Sequence, residues 1–320
     1  MLKFGVIMDP IESINPKKDT TFSLISALQK KCQVEYIFPR TMCLVDDKVK
    51  AKTSKIKVFK NKTNYYQLSG KKLVNLNSFN AILFRVDPPV DIDYIQLTYL
   101  LDQVEKNGTL LINSPQSLRD FNEKILGINL SYKKVPTIIT SNIKIIKEFI
   151  KKNKKIVIKP LNFMGGKDIY LIPNKNIDVD ILLNDLTHGE KKLIVSQKYL
   201  SQIKNGDSRV IIYNGIVHEK VLVRFPPKND FRANLSFGGK YVIRNLPAKH
   251  KKYLSEIAEF LKMNRIYLAG VDMIGDFITE INITSPTGIQ EIERECKNNL
   301  SKDIANQFIN IAQSFYNHDC

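Results

Sequence analysis

Two carboxylates and an amide interrupt an apolar stretch near the C-terminus. The segment GVDMIGDFITEINITSPTG (residues 270–288) carries Asp272, Glu280 and Asn282 among Val271, Met273, Ile274, Phe277 and Ile278. Apolar residues of this kind go to a core, so the oxygen-bearing ones need a reason to be there. The segment reads as a β-hairpin in one of two registers. A two-residue turn at Gly275-Asp276 pairs Asp272 with Thr279 and turns Glu280 to the opposite face. A three-residue loop, Gly275-Asp276-Phe277, pairs Ile274 with Ile278 and Asp272 with Glu280. That register gathers Asp272, Glu280 and Asn282 on one face and sends Val271, Met273, Thr279 and Ile281 to the other, because a one-residue slip exchanges the faces of a strand. Paired acids repel and raise each other's pKa. A cation between them removes the conflict, and hard oxygen ligands with room for phosphate oxygens suit Mg²⁺ or Mn²⁺. The competing reading is a surface hairpin with solvated acids.

A second constellation lies in IVIKPLNFMGGKDIYLI (156–172), where a strand ends at Lys159 and Gly165-Gly166 let the backbone approach a ligand. Backbone N–H groups and a lysine can cradle phosphates. The Walker pattern is absent and a strand follows the glycines, so a plain glycine-turned hairpin is the alternative. In ITSPTGIQEIE (283–293), Thr287 and Gln290 have capping-box spacing. Ser285, Thr287 and the helix start could also hold a carboxylate or phosphate. Arg85, Arg209, Arg224, Arg232 and Arg244 fall near strand ends or in loops of a chain that otherwise prefers lysine. Such arginines serve either bidentate anion binding or ordinary ion pairs.

Alternating elements must position these groups. KFGVIM (3–8), VEYIF (34–38), FNAILF (79–84) and TLLIN (109–113) read as strands, with helices over 20–31 and 91–108 between them. This alternation implies a mainly parallel α/β sheet. Residues 42–59 read as an exposed β-ribbon with Asp46-Asp47 near its turn. Ser114 is the expected cap and Pro115 the first turn of a helix over 114–126. Residues 135–140, 156–160, 168–172 and 193–200 give strands around a helix over 142–152, a small α+β unit. Asn214-Gly215 marks a type I′ hairpin within 208–225. Residues 225–241 (FPPKNDFRANLSFGGKY) form a long irregular segment of the kind that makes lids. A helix over 248–262, the opening hairpin and two terminal helices complete the chain.

The totals narrow the partners. A chain of 320 residues divides into two or three domains. Its net charge of +17, from 49 basic and 32 acidic residues, favours anionic partners. The lysines are spread out beside abundant Asn and Ile, which reads as a compositional bias and not as a nucleic-acid surface. Cys32, Cys43, Cys296 and Cys320 lack C-x-x-C spacing and the histidines are isolated. That argues against zinc and disulfides and for a reducing cytosol. No apolar run approaches membrane-spanning length.

In FGVIMDPIESINPKKDTTF (4–22), FRVDPP (84–89), NSPQSLRDFNEK (113–124), IKPLNFMGG (158–166), GDSRV (206–210), RANLSFGG (232–239) and VDMIGDFITEINITSPTGIQEIE (271–293), the chain resembles bacterial glutathione synthetases of the ATP-grasp superfamily. The resemblance runs nearly end to end. It implies a multi-domain α/β protein: an ATP-grasp fold preceded by an N-terminal α/β pre-ATP-grasp domain, divided as 1–120, 121–199 and 200–316. It also implies an ADP-forming ligase that joins γ-glutamylcysteine to glycine through an acyl phosphate.

By motif, the resemblance gives Lys124 and Lys159 to the ATP phosphates, with Gly165 and Gly166 covering them. Gln197, Lys198, Tyr199 and Leu200 would line the adenine pocket, and Asp207 would contact the ribose. Asp272, Glu280 and Asn282 would hold two Mg²⁺ (or Mn²⁺) ions, which selects the three-residue loop. Arg209 would be catalytic, stabilising the acyl phosphate. Arg85, Arg224, Arg232, Asn234, Ser285 and Thr287 would bind the peptide. The implied partners are ATP, γ-glutamylcysteine and glycine, with no nucleic acid and no membrane, in a cytoplasmic homotetramer. Three positions depart from the family: Asn162-Phe163 replaces Asp-Gly, Ala233 replaces a lid glycine, and Lys198 replaces a neutral residue. None removes a metal ligand or a phosphate lysine. Other ATP-grasp carboxylate–amine ligases share Lys159 and Glu280-x-Asn282 but lack SPQSLRDFNEK and RANLSFGG. A non-catalytic nucleotide- or nucleic-acid-binding protein is the alternative that the charge suggests.

Overall fold

The computed structural model describes residues 1–60, 63–162, 168–173, 177–228, 230–235 and 238–317. Its first third runs β1 (Lys3–Met8), α1 (Thr20–Leu28), β2 (Gln33–Ile37), β3 (Cys43–Val45), β4 (Lys48–Val58), β5 (Tyr66–Asn75), β6 (Ala81–Arg85), α2 (Ile92–Lys106) and β7 (Leu110–Ile112). Strands β2, β1, β6 and β7 are adjacent and parallel, as the alternating pattern predicts. Such strands are buried on both faces. Tyr94, Leu101 and Val104 of α2 cover one face, and Phe22 and Ile25 of α1 pack against the other. The 42–59 segment is a ribbon turning at Asp46 and Asp47, both with positive φ, but it is not an exposed one. β4 pairs antiparallel with β2 as well as with β3 and β5, and its Val49, Ala51, Ile56 and Val58 are buried.

The helix expected over 114–126 is broken into α3 (Pro115–Asp120) and α4 (Glu123–Leu130). Asn122 causes the break by accepting from the N–H groups of Lys124 and Ile125, a cap that competes with helix continuation. Ser114 precedes α3, yet its side chain makes no capping bond.

A second sheet, ordered β10-β9-β11-β8, is built from β8 (Thr137–Thr140), α5 (Ile143–Asn153), β9 (Ile156–Pro160), β10 (Tyr170–Ile172), α6 (Val179–Thr187) and β11 (Ile194–Lys198). It has its own core, in which Ile146 of α5 and Leu183 of α6 meet Ile156, Ile158, Ile172 and Ile194. The sequence reading leaves α6 unassigned; Asp178 caps it. Phe163, Gly165 and Gly166 lie outside the described residues.

The last third holds β12 (Asp207–Tyr213), β13 (Ile216–Phe225), β14 (Lys240–Asn245), α7 (Ala248–Met263), β15 (Leu268–Ile274), β16 (Phe277–Asn282), α8 (Ile289–Cys296) and α9 (Leu300–Asn317). Its antiparallel sheet is ordered β14-β13-β12-β15-β16. Asn214 and Gly215 both have positive φ, as a type I′ turn requires. The C-terminal helix α9 closes over the N-terminal sheet beside α1, through Ile304 and Phe308. No helix among the described residues is long and apolar enough to cross a membrane.

The β15–β16 hairpin joins the two registers that the sequence allows. Ile274 faces Phe277, so the turn is the two-residue Gly275-Asp276, with Gly275 at φ 61°, and the three-residue loop is not formed. A bulge at Thr279 then shifts the register: Met273 faces Ile278, but Asp272 faces Glu280 and Gly270 faces Asn282. The extra residue reverses the alternation of faces. Ile278 and Ile281 therefore both reach the core, while Glu280 and Asn282 share the face of Asp272. Thr279, expected on the core face, lines a cleft instead.

Helix α4 lies against this hairpin at backbone distance. A Cβ added to Gly127 would stand 2.9 Å from Cα and 3.1 Å from N of Glu280. Those atoms cannot rotate away. Gly127→Ala is expected to destabilise the protein by about 1–3 kcal/mol, read as a lower midpoint in urea unfolding.

Candidate active site

One face of the C-terminal sheet carries a row of charges. Asp207 and Arg209 stand two residues apart on β12 and so point the same way. Arg224 on β13 is paired with Asp207, Asp272 on β15 with Arg209, and Glu280 on β16 with Asp272. Arg209 grips Asp272 through Nε to Oδ1 at 2.8 Å and Nη2 to Oδ2 at 2.6 Å. Arg224 Nη2 lies 3.0 Å from Asp272 Oδ1 and 2.6 Å from Asp207 Oδ2. Burial alone would raise the Asp272 carboxyl, but the Arg209 and Arg224 guanidiniums outweigh it and hold the group near 2. The raised value expected from an acid pair is reversed at Asp272, because arginines neutralise it first. At Asp207 burial wins over the pull of Arg224, and the carboxyl is pushed up to about 6.

The residues fit a divalent cation. Asn282 Nδ2 lies 3.2 Å from Asp272 Oδ2. Glu280 Oε1 stands 3.2 Å from Lys124 Nζ, in a geometry that makes no hydrogen bond, and buried Asp207 Oδ1 has no hydrogen-bond partner either. Carboxylate oxygens of this kind, beside an amide, are hard ligands with coordination capacity left over. Among the described residues no three His, Cys, Asp or Glu side chains gather into a cage, so a cation here takes further ligands from what it binds.

Two cavities meet at this row. The first has a cavity volume of about 130 Å³. Lys124, Lys159, Gln197, Lys198, Tyr199, Leu200 and Asp207 all line it. Lys159 Nζ is 3.5 Å from both Gln197 Oε1 and Thr279 O, and burial lowers its pKa. Exposed Lys198 keeps its backbone contact, N to Pro136 O at 2.9 Å. The second cavity is lined by Arg209, Arg224, Asn282, Ser285 and Thr287. Asn234, Asp272 and Glu280 border both.

Three expectations change. Arg85 does not line the second cavity. It is buried beneath it, donating to Thr21 Oγ1, Thr284 O and Pro286 O at 3.2, 3.4 and 2.9 Å, and so positions the 284–286 backbone. Arg232 lines the first cavity and not the second, where Asp230 binds its guanidinium at 2.7 Å. The Thr287–Gln290 capping box does not form. Gly288, at φ 112°, precedes α8 without a side-chain cap; Gln290 donates to Pro16 O and Asp19 O. Thr287 O accepts from Arg209 Nη1 at 3.3 Å.

The sequence reading also missed residues. Asp9, Asp19, Asp87 and Glu291 line the second cavity. Asp9 and Asp87 follow β1 and β6, and the carboxyl ends of parallel strands are where α/β sheets bind ligands; that signal was present in Met-Asp-Pro and Asp-Pro-Pro. Glu123 is buried and accepts from Ile283 N, Thr284 N and Thr284 Oγ1 at 2.7–2.9 Å. It fastens α4 to the strand end after Asn282.

Comparison with known proteins gives this geometry a family. Residues 2–119 match the prokaryotic glutathione synthetase N-terminal domain, and residues 123–297 match the prokaryotic glutathione synthetase ATP-grasp domain. The chain belongs to the prokaryotic glutathione synthetase family. The Coxiella burnetii glutathione synthetase is 35% identical over 98% of this chain and 97% of its own length. The enzyme of Buchnera aphidicola subsp. Baizongia pistaciae is 40% identical over 92% and 91%, and that of Escherichia coli O127:H6 36% over 92% and 94%. Two solved structures share the fold at low identity. D-cycloserine synthetase DcsG has a TM-score of 0.63 at 12% identity, covering 98% of this chain and 99% of that one. The ATP-grasp ligase PsnB, complexed with a minimal precursor, has a TM-score of 0.62 at 14%, covering 97% and 99%. The two prokaryotic glutathione synthetase parts meet between residues 119 and 123, at the α3–α4 break.

The Asp272 pair gives a signed prediction. Its folded pKa, near 2, lies below the ordinary 3.8, so its contribution to stability is full above that value and is lost as pH falls toward 2. Asp272→Asn leaves two buried guanidiniums short of a counter-charge and should cost about 3–5 kcal/mol at neutral pH. Urea unfolding without nucleotide or metal should show that loss, together with a flatter acid limb below the ordinary aspartate pKa.

Proposed function

We propose that Asp272, Glu280 and Asn282 hold two Mg²⁺ or Mn²⁺ ions between a nucleotide cavity and a peptide cavity. The chain is an ATP-dependent ligase of glutathione synthesis. The observation that supports this assignment of sites is that Asp272 and Glu280 border both cavities at once. Bound divalent cations would neutralise charge on the transferring phosphoryl group.

Lys124 and Lys159 meet the ATP phosphates in the first cavity, and the 197–200 segment and Asp207 meet the nucleoside. Burial lowers the Lys159 pKa, and phosphate oxygens beside it favour its charged form. In the second cavity Arg209 and Arg224 draw in the cysteinyl carboxylate of γ-glutamylcysteine, with Asn234, Ser285 and Thr287 around it. A carboxylate oxygen attacks the γ-phosphorus, the bond to ADP breaks, and an acyl phosphate results. Arg209 stabilises the charge that develops there. The amine of glycine then attacks the acyl carbon, gives up a proton, and phosphate departs. Acyl phosphates hydrolyse, so the irregular 225–241 segment, whose Arg232 and Asn234 border the first cavity, serves as a cover. The same reading divides the chain at 1–120, 121–199 and 200–316 and carries the homotetramer that the family suggests.

ADP release should require ATP, a divalent cation, γ-glutamylcysteine and glycine together. Glu280→Gln should lower kcat/KM by roughly 10³-fold or more while urea unfolding stays near wild type. Strong ADP release with D-alanine and none with γ-glutamylcysteine plus glycine would sink the assignment.

A further inference from the structure

The second sheet is joined to the rest of the chain by two connections, 131–136 before β8 and 199–206 after β11. They leave it side by side: Lys198 N donates to Pro136 O at 2.9 Å, and Gln197 Nε2 to Thr137 Oγ1 at 3.0 Å. Both connections then reach the tip of the β15–β16 hairpin. Lys133 Nζ lies 2.9 Å from Asp276 Oδ2, and a Cβ added to Gly275 would stand 3.8 Å from Gln202 Cβ. The hairpin strands carry Asp272 and Glu280, which line the first cavity together with Val157, Lys159 and Gln197 of the second sheet. The shape of that cavity therefore depends on how the second sheet is held against the hairpin.

Asp276 ties three segments together. Its Oδ1 meets Lys249 Nζ and, at 2.9 Å, His250 Nε2, while its Oδ2 meets Lys133. Lys249 and His250 have a local reason to be there. They stand in the first turn of α7, whose N-cap residue Pro247 makes no side-chain bond, and a carboxylate near a helix N-terminus is favourable. Lys133 does not share that reason, because it belongs to the first connection. Its neighbour Tyr132 stacks on Tyr253 of α7, with ring centroids 6.3 Å and planes 22° apart, and the Tyr253 hydroxyl donates to Met273 Sδ at 3.3 Å. Two successive side chains thus fasten the first connection to α7 and to the hairpin. The Lys133 side chain is half exposed, and an exposed ion pair is worth little to folding. Its place at a connection gives it a different use.

We propose that Lys133 and Asp276 form a clasp that fixes the second sheet against the hairpin, and so act as positioning residues for the nucleotide. Neither lines the first cavity; both act through the distance from Lys159 to the acids of the hairpin. The proposal rests on the reading of the first cavity as the nucleotide site.

The test uses the full chain with ATP, Mg²⁺, γ-glutamylcysteine and glycine. Lys133→Met keeps the stem and removes the charge. It should raise KM for ATP about fivefold, with KM for γ-glutamylcysteine and the urea midpoint near wild type. Lys133→Arg should restore the wild-type KM. Lys249→Met, which alters only the α7 side of Asp276, should leave KM for ATP unchanged. In Lys133→Met without substrates, amide hydrogen exchange should quicken in 131–136 and 199–206 and stay as in wild type in α9. An unchanged KM for ATP in Lys133→Met overturns the proposal, as does an equal rise in both KM values. Equal effects of Lys133→Met and Lys249→Met assign Asp276 to the stability of α7 alone, and they overturn it too. Wild type that forms no ADP with all four present sinks the functional reading and this inference with it, whereas failure of the clasp alone leaves wild-type turnover intact.

Discussion

Asp272 is buried between two guanidiniums, and both cavities are arranged around that contact. Taking a carboxylate out of water is costly unless its charge is met at close range with good geometry. Antiparallel pairing supplies the range, since opposed residues on adjacent strands have Cβ atoms about 4.5–5.5 Å apart. With Arg209 and Asp207 on β12, Arg224 on β13 and Asp272 on β15, the row holds equal numbers of acids and bases on three adjacent strands. The same Arg209 reaches Thr287 O, Arg85 holds Thr284 O and Pro286 O, and Glu123 holds Ile283 N and Thr284 N. The loop that presents Ser285 and Thr287 to the cavity is thus fixed through its backbone by three separate elements. Its Ser285 hydroxyl donates to Asp87 and its Thr287 hydroxyl accepts from Arg209 Nη1 at 3.5 Å.

Much of this was legible. The parallel strands, the Asn-Gly hairpin and α7 follow from periodicity and turn chemistry. The candidate site residues come from an oxygen-rich hairpin and from family motifs. What escaped was decided by competition. Asn122 looks like a helix-interior residue until its side chain is seen to cap α4. Arg85 and Arg232 have the right chemistry for a substrate anion, but residue type does not reveal the nearest acceptor. For Arg232 that is Asp230, two residues away; for Arg85 it is backbone about two hundred residues away. The bulge had a signal that was not used. Ile278 and Ile281 are three apart and both apolar, so a regular strand cannot bury both. An extra residue between them resolves the parity and also brings Glu280 opposite Asp272.

The amide at Asn282 follows from the same accounting. A carboxylate offers about four lone-pair sites, and those of Asp272 are all engaged, by Arg209 Nε and Arg224 Nη2 at Oδ1 and by Arg209 Nη2 and Asn282 Nδ2 at Oδ2. A cation that binds Asp272 must displace one of these donors. At 3.2 Å the Asn282 contact is the longest of the four. It is also the one donor whose side chain can turn about its terminal bond and offer an oxygen in place of a nitrogen. An aspartate at this position would add a third carboxylate beside Asp272 and Glu280 whenever the cation is away. A leucine would leave Asp272 Oδ2 one donor short and give the cation nothing. An amide suits both states of the proposed site: it donates to the acid as seen here, and its oxygen would be the atom offered to a bound cation.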